Sequence, residues 1–416
     1  TATFDGVGSN RFSSIAGSTV EQTGEGKGGM LTVNAGSLTV SNGAQLTSAT
    51  FGRGDAGDVT LIVRDTATFD GVGSNRFSSI AGSTVEQTGE GKGGMLTVNA
   101  GSLTVSNGAQ LTSATFGRGD AGDVTLTVRD TATFDGVGSN GFSSGAGSTV
   151  ERTGVGRGGN LTVSSGSLTL RNGAFLNSSA VGQGDAGNFV IRVRDRLELS
   201  NRSIISTASQ ATNGGSIDIS AKTILLLDNS NITTYVFSGE GKGGDIRLNA
   251  GAIAALNDSN ILTLAPQGQG GDIVFKTRAF LSQPLYRPSP TISNFDEFNA
   301  LFNNGQIDIN ASGAISGAIV GVPNITFLQN NLTQLSQNAF DPNIFSNSCI
   351  ARDQKTGAFY ITGRSGLIPK PGELSNYSVG TIQAVSSSDQ RGAAIVEPQG
   401  VYPLPDGRLI LSRECP

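Results

Sequence analysis

A glycine corner that recurs every 27 to 37 residues limits this chain more than any other feature. It reads Gly28-Gly29-Met30-Leu31, Ala56-Gly57-Asp58-Val59, Gly93-Gly94-Met95-Leu96 and so on to Gly270-Gly271-Asp272-Ile273. The third residue of each corner falls at 30, 58, 95, 123, 160, 188, 216, 245 and 272, and a weakened version, Asn304-Gly305-Gln306-Ile307, puts a tenth at 306. A spacing near 28 residues, held by glycine turns, is the signature of a stacked array. Each corner opens an alternating run. Leu31, Val33, Leu38, Val40 and Leu46 share one parity and point inward, with Thr32, Thr39 and Thr47 outward. About three short strands per coil follow, and none can bury its apolar side alone. Stacking the same strand from successive coils solves this, giving parallel sheets and, by the crossover rule, a right-handed parallel β-helix. The expected class is all-β.

Residues 1–65 and 66–130 differ at one position, Ile62 against Thr127, and residues 131–195 keep 44 of the 65. Each unit holds one 28-residue and one 37-residue coil, and the nine extra residues are placed around Phe4 to Asn10 as a bulging loop. Phe4, Phe12, Phe69 and Phe77 flank these loops as an exposed apolar patch or as anchors. The expected organisation is three repeat units over 1–195, regular coils over 196–281, an interrupted coil with a short helix and last coils over 282–339, and a terminal subdomain over 340–416. In the third segment, Phe295, Phe298, Leu301 and Phe302 have helical spacing. Near identity of the first two units leads us to expect further copies upstream of Thr1, and an open first coil invites end-to-end self-association.

Composition excludes several chemistries. The 416 residues include no histidine, which removes Ser-His-Asp and Cys-His catalysis and imidazole metal sites. A net charge of −5 argues against nucleic acid as the partner of the chain as a whole. No cofactor is expected. Cys349 and Cys415 are the only cysteines; one disulfide pinning the tail is expected, and two free thiols are the alternative. The chain contains no run of 18 apolar residues.

Charges at the corners suggest neighbours across coils. Five and three residues before the marker stand Glu25 and Lys27 in one coil, Arg53 and Asp55 in the next. The second unit repeats this with Glu90, Lys92, Arg118 and Asp120, and in the third Val155 and Gln183 replace Glu90 and Arg118 together. Stacking therefore pairs Glu25 with Arg53, Lys27 with Asp55, Glu90 with Arg118 and Lys92 with Asp120. The tripeptide Arg53-Gly54-Asp55 reads as such a corner before it reads as an adhesion motif. Asp55 with Asp58 would suit calcium, and Asp245 with Asp272 a cation or the two acids of a glycosidase. Turn carboxylates accepting backbone N–H groups are the simpler account.

The corner-plus-alternation pattern resembles filamentous haemagglutinin-type exoproteins of two-partner secretion. The tail, with Ser346-Asn347-Ser348-Cys349, Phe359-Tyr360-Ile361-Thr362-Gly363-Arg364-Ser365-Gly366-Leu367-Ile368-Pro369 and Arg413-Glu414-Cys415, resembles those of such proteins in cyanobacteria. The resemblance covers most of the chain and lacks the family's N-terminal secretion domain. It implies a secreted or cell-surface adhesin or structural stalk without enzymatic activity. It also implies an outer-membrane secretion partner, and surface glycans or other cell-surface proteins as ligands. The rivals are a carbohydrate-active β-helix lyase or hydrolase, and a calcium-, glycan- or ice-binding repeat module. An ice surface requires an unbroken outward threonine ladder, and the expectation here is that Met30-type and charged positions interrupt it.

Overall fold

The computed structural model describes residues 1–6, 13–286, 291–323, 400–403 and 409–412. The chain divides into two compact units, Thr1–Ile325 and Thr326–Pro416, so the boundary falls inside the segment 282–339. The described part of the second unit is one antiparallel pair, Gly400–Pro403 with Leu409–Ser412. Cys349 and Cys415 lie outside the described residues.

The first unit is all-β, and among the described residues its strands form two wholly parallel sheets of fifteen and ten strands. The smaller sheet runs in unbroken order from Ile15–Val20 through Gln45–Thr50, Ile80–Val85 and Gln110–Thr115 to Ile309–Ile315. Each passage of the chain, here called a rung, adds one strand to it. The same passage adds a bent strand or two shorter ones to the larger sheet, as with Leu96–Ser106, or Leu31–Ala35 and Leu38–Ser41. Alternation dictates this. In Leu96–Ser106 the side chains of Leu96, Val98, Leu103 and Val105 are buried while Thr97 and Thr104 face out. The inward residues of both sheets form one continuous apolar core from Leu38 to Ala311.

The glycine corners show why stacking at this spacing needs glycine. A β-carbon on Gly57 would overlap the carbonyl oxygen of Gly29, and the same holds for Gly94 on Gly57 and Gly122 on Gly94. The constraint is close approach of successive rungs, not an unusual backbone angle. Beside the corners runs a buried column of hydroxyls: Ser48, Ser83, Ser113, Ser148, Ser178, Thr207, Thr234 and Thr263, all inaccessible to solvent and in register rung to rung. Ser113 accepts from the Gly122 N–H at 2.9 Å and donates to the Gly94 carbonyl at 3.1 Å. The hydroxyls thus satisfy corner backbone groups that no strand can reach.

Three sequence readings need correction. The corner after Gly270-Gly271 is Ser316-Gly317-Ala318-Ile319: Ile319 pairs with Ile273, and Gly317 packs on Gly271. Asn304-Gly305 belongs to an inserted segment whose glycine imitates the motif. That insertion carries the helix Phe295–Ala300, continued by a 3₁₀ turn Leu301–Asn303. Asn294 caps it by accepting from the Glu297 N–H at 2.9 Å, and Phe298 and Leu301 bury against Leu262 and Leu264 on the outer face of the smaller sheet. Second, the nine extra residues of a long rung are divided. The loop Gly71 to Ser79 replaces the three-residue turn Asn107 to Ala109 and supplies six. A bulge at Arg64-Asp65 supplies one, and a longer turn before the corner, ten residues over 86–95 against eight over 116–123, the remaining two. Third, Phe69 and its equivalent Phe134 are fully buried core residues, whereas Phe77 and Phe142 are exposed; Phe12 lies outside the described residues.

Candidate functional site: corner columns and the bend of the larger sheet

The charged corners form one column. Parallel bridges link Glu25 to Arg53, Arg53 to Glu90, Glu90 to Arg118, Arg118 to Val155 and Val155 to Gln183. Arg53 lies 4.0 Å from Glu25 and 3.5 Å from Glu90, so it serves both neighbours. Glu90 and Arg118 stand in register without a close ion pair. The Lys27–Asp55 and Lys92–Asp120 ion pairs do not form. Asp55 instead accepts from the backbone N–H of Lys92 at 2.8 Å, and Asp120 takes the backbone and guanidinium of Arg157 at 2.8 and 3.0 Å. A carboxylate is short and reaches the next rung's amide; lysine ends beyond it. Reversing Arg53 to Glu places like charges against both Glu25 and Glu90, and a loss of a few tenths to about 1 kcal/mol is expected in denaturant unfolding. Because Arg53 has two acidic neighbours, adding Glu25→Arg restores only part of that loss.

The side chains at the marker position form a further column in three runs. Asp58 accepts from the Met95 N–H at 2.8 Å and Asp123 from Asn160 at 2.7 Å. Asn160 and Asn188 continue the ladder to Ser216 with their side-chain oxygens. Asp245 accepts from the Asp272 N–H at 3.0 Å, and Asp272 from Ala318 at 2.8 Å. The second oxygen of Asp245 binds Arg247 at 2.7 Å. Among the described residues, no group of three or more His, Cys, Asp or Glu is placed to hold a metal ion.

Burial pushes Asp245 upward, yet the Asp272 N–H and the Lys242 and Arg247 charges hold it below the ordinary 3.8. Burial likewise raises Asp120, and Arg157 more than offsets it. A carboxyl with a lowered native pKa stabilises fully above its unfolded value, and that stabilisation is lost as pH falls through the native value. Thermal stability should therefore hold between pH 7 and about 5 and fall below about 4. Asp245→Asn should keep the fold, since Asn160 and Asn188 fill the same role, and should flatten the acid limb of a melting-temperature profile.

A concave surface lies where the two arms of the larger sheet meet. A groove of about 810 Å³ runs there over Gly36, Arg64, Gly101 and Arg129. Rungs with glycine at the bend alternate with rungs carrying an Arg-Asp bulge: Gly36, Arg64-Asp65, Gly101, Arg129-Asp130, Gly166, Arg194-Asp195. Each of the first two bulge arginines pairs with its own aspartate, at 3.3 and 3.1 Å, which leaves the groove charge-balanced. Asn34, Ala35, Ile62, Val63, Asn99 and Ala100 line it, and the arms beyond it carry columns of outward hydroxyls. Thr32, Thr60, Thr97, Thr125 and Thr162 stack in register on one arm. Thr3, Thr39, Thr68, Thr104, Thr133 and Thr169 do so on the other. The columns run unbroken only as far as Thr162 and Thr169; beyond them Val190 and Asp218, and Glu198, take the next positions, so charge does end them, whereas Met30 lies outside both.

No protein-family model, curated protein or solved structure matches this chain. The sequence reading missed the bend. Its signal was the Val-Arg-Asp triplet ending each 65-residue unit, at Val63, Val128 and Val193.

Proposed function

We propose that this chain is a non-enzymatic extracellular or cell-surface scaffold, an adhesin or stalk, built on a right-handed parallel β-helix. Its bent-sheet groove is the contact surface. Parallel pairing from rung to rung supports the β-helix, and handedness follows from the crossover rule. The observation that carries the functional reading is the state of the corner carboxylates. A glycosidase needs one carboxyl with a raised pKa facing a second across a substrate. Asp245 and Asp272 instead each hold the backbone of the next rung, and Asp245 is shifted downward. What repeats outward is a row of hydroxyls, amides and balanced charges, a surface suited to polyol or protein contacts.

The resemblance to two-partner exoproteins supports secretion to the outer surface. Binding of the full chain to a glycan array and to whole cells, together with release of reducing or unsaturated ends from polysaccharides, tests the reading. Turnover of any polysaccharide would sink the non-enzymatic part, and absence of binding to both arrays and cells the adhesin part. A second reading rests on the two threonine columns, whose hydroxyls repeat at about 4.8 Å along the stack and present an ordered lattice to water. Inhibition of ice recrystallisation by the purified chain would favour it, and none at micromolar concentration would end it.

A further inference from the structure

The bend column changes character after Gly166. Arg194 leads to Lys222, then Gly251, then Arg278, and Lys276 lies two residues before Arg278 on the same strand. Arg192 and Arg247 face outward from the same arm. All six cations are exposed. Arg192 is matched by Asp218 at 2.9 Å and Arg247 by Asp245 at 2.7 Å, and Arg194 donates to the Arg129 carbonyl at 2.8 Å. Lys222, Lys276 and Arg278 have no acidic partner within 4.0 Å among the described residues. A chain of net charge −5 thus carries a stripe of unneutralised positive charge along one bend. The adjoining arm differs as well. Where the balanced half carries threonine, Leu225, Ala254 and Leu281 stack in register and form an apolar wall.

We propose that this stretch of the bend binds a linear, carboxylated polysaccharide lying along the stack. The inference rests on the scaffold reading above and names the ligand class of one part of its surface. Charge complementarity selects a polyanion. Lys222 and Arg278 stand two rungs apart, roughly 9.6 Å, a distance that successive pairs of sugars in an extended chain match. The Leu225–Ala254–Leu281 wall receives the C–H faces of the rings, which a simple inorganic anion would not use. The stripe carries no exposed aromatic side chain among the described residues, so the stacking platform that single-stranded nucleic acid requires is missing.

Polygalacturonate is the probe, with dextran as the neutral counterpart, and binding to the full chain is read by surface plasmon resonance at several salt concentrations. Wild type should bind polygalacturonate and not dextran, with affinity falling as salt rises. Lys222→Glu with Lys276→Glu and Arg278→Glu should weaken binding by about tenfold or more. Lys27→Glu with Lys92→Glu and Arg152→Glu changes net charge equally on other faces and should leave binding unchanged. Should the first triple variant fail to fold by circular dichroism, Lys222→Gln with Arg278→Gln carries the same decision. Equal binding by the stripe variant, no binding by wild type, or tighter binding of DNA under the same conditions overturns the proposal. Absence of polygalacturonate binding by the wild type, with glycan-array or cell binding retained, would remove this inference alone and leave the scaffold reading standing.

Discussion

Gly122→Ala is expected to destabilise the first unit by about 3 kcal/mol or more, although it adds a single methyl group. The added carbon would overlap the Gly94 carbonyl oxygen, with the Gly94 carbon and the Gly93 oxygen close behind. All three are backbone atoms of the preceding rung, so no side chain can swing aside. The rungs must separate locally, which also strains the bonds from the Gly122 N–H to Ser113 and from Ser148 to the Gly122 carbonyl, 2.9 and 2.8 Å long. Gly141→Ala is the matched control. Gly141 has a φ of +85° and open space around its β-position, so alanine there carries only the backbone penalty of about 1 kcal/mol. Denaturant unfolding of both variants separates the effects. Equal losses would mean that backbone angle, not rung-to-rung contact, explains the glycine corners.

The contrast between these glycines shows what the sequence carried and what it did not. Periodicity placed the strands because an inward parity such as Leu96, Val98, Leu103 and Val105 survives in every rung. It also placed Arg53 beside Glu25, since residues at one offset from the corner stack. Which partner a charge selects was not legible. Lys27 and Asp55 occupy the same offset, but a carboxylate reaches the next rung's N–H before any ammonium reaches the carboxylate. The buried hydroxyl column was hidden for a related reason. Ser48 and Ser113 sit at inward positions of polar runs, and only the position of the corner N–H groups explains why a hydroxyl belongs there. The imitation corner at Asn304-Gly305 misled because a glycine after a polar residue serves a loop as well as a rung. The bend column was missed because an Arg-Asp pair on an exposed strand end looks like ordinary solvated charge until both arms of the sheet are known.

Phe69→Ala should cost about 3–5 kcal/mol, while Phe77→Ala should stay within about 0.5 kcal/mol of wild type. Phe69 stands just before the loop and Phe77 within it, yet their environments are opposite. Phe69 lies between Val40 and Val105 in the stacked ladder and is fully buried in the core. Truncation there removes the apolar area of a whole ring and leaves a cavity. Rungs on both sides are fixed by their own ladder bonds and cannot collapse into it. Phe77 follows the loop tip at 59% exposure, with its N–H held by the Asn75 side chain at 3.2 Å, a bond that alanine keeps. Because rungs contact mainly their neighbours, the Phe69 loss should spread to the adjoining rungs and broaden the transition as well as lower its midpoint. Thermal melts followed at 218 nm, read beside those of the Phe134→Ala equivalent, check this. Similar small shifts for Phe69 and Phe77 would show that the strand ending at Asp70 does not continue into the core, and the division of the long rung into strand and loop would have to be redrawn.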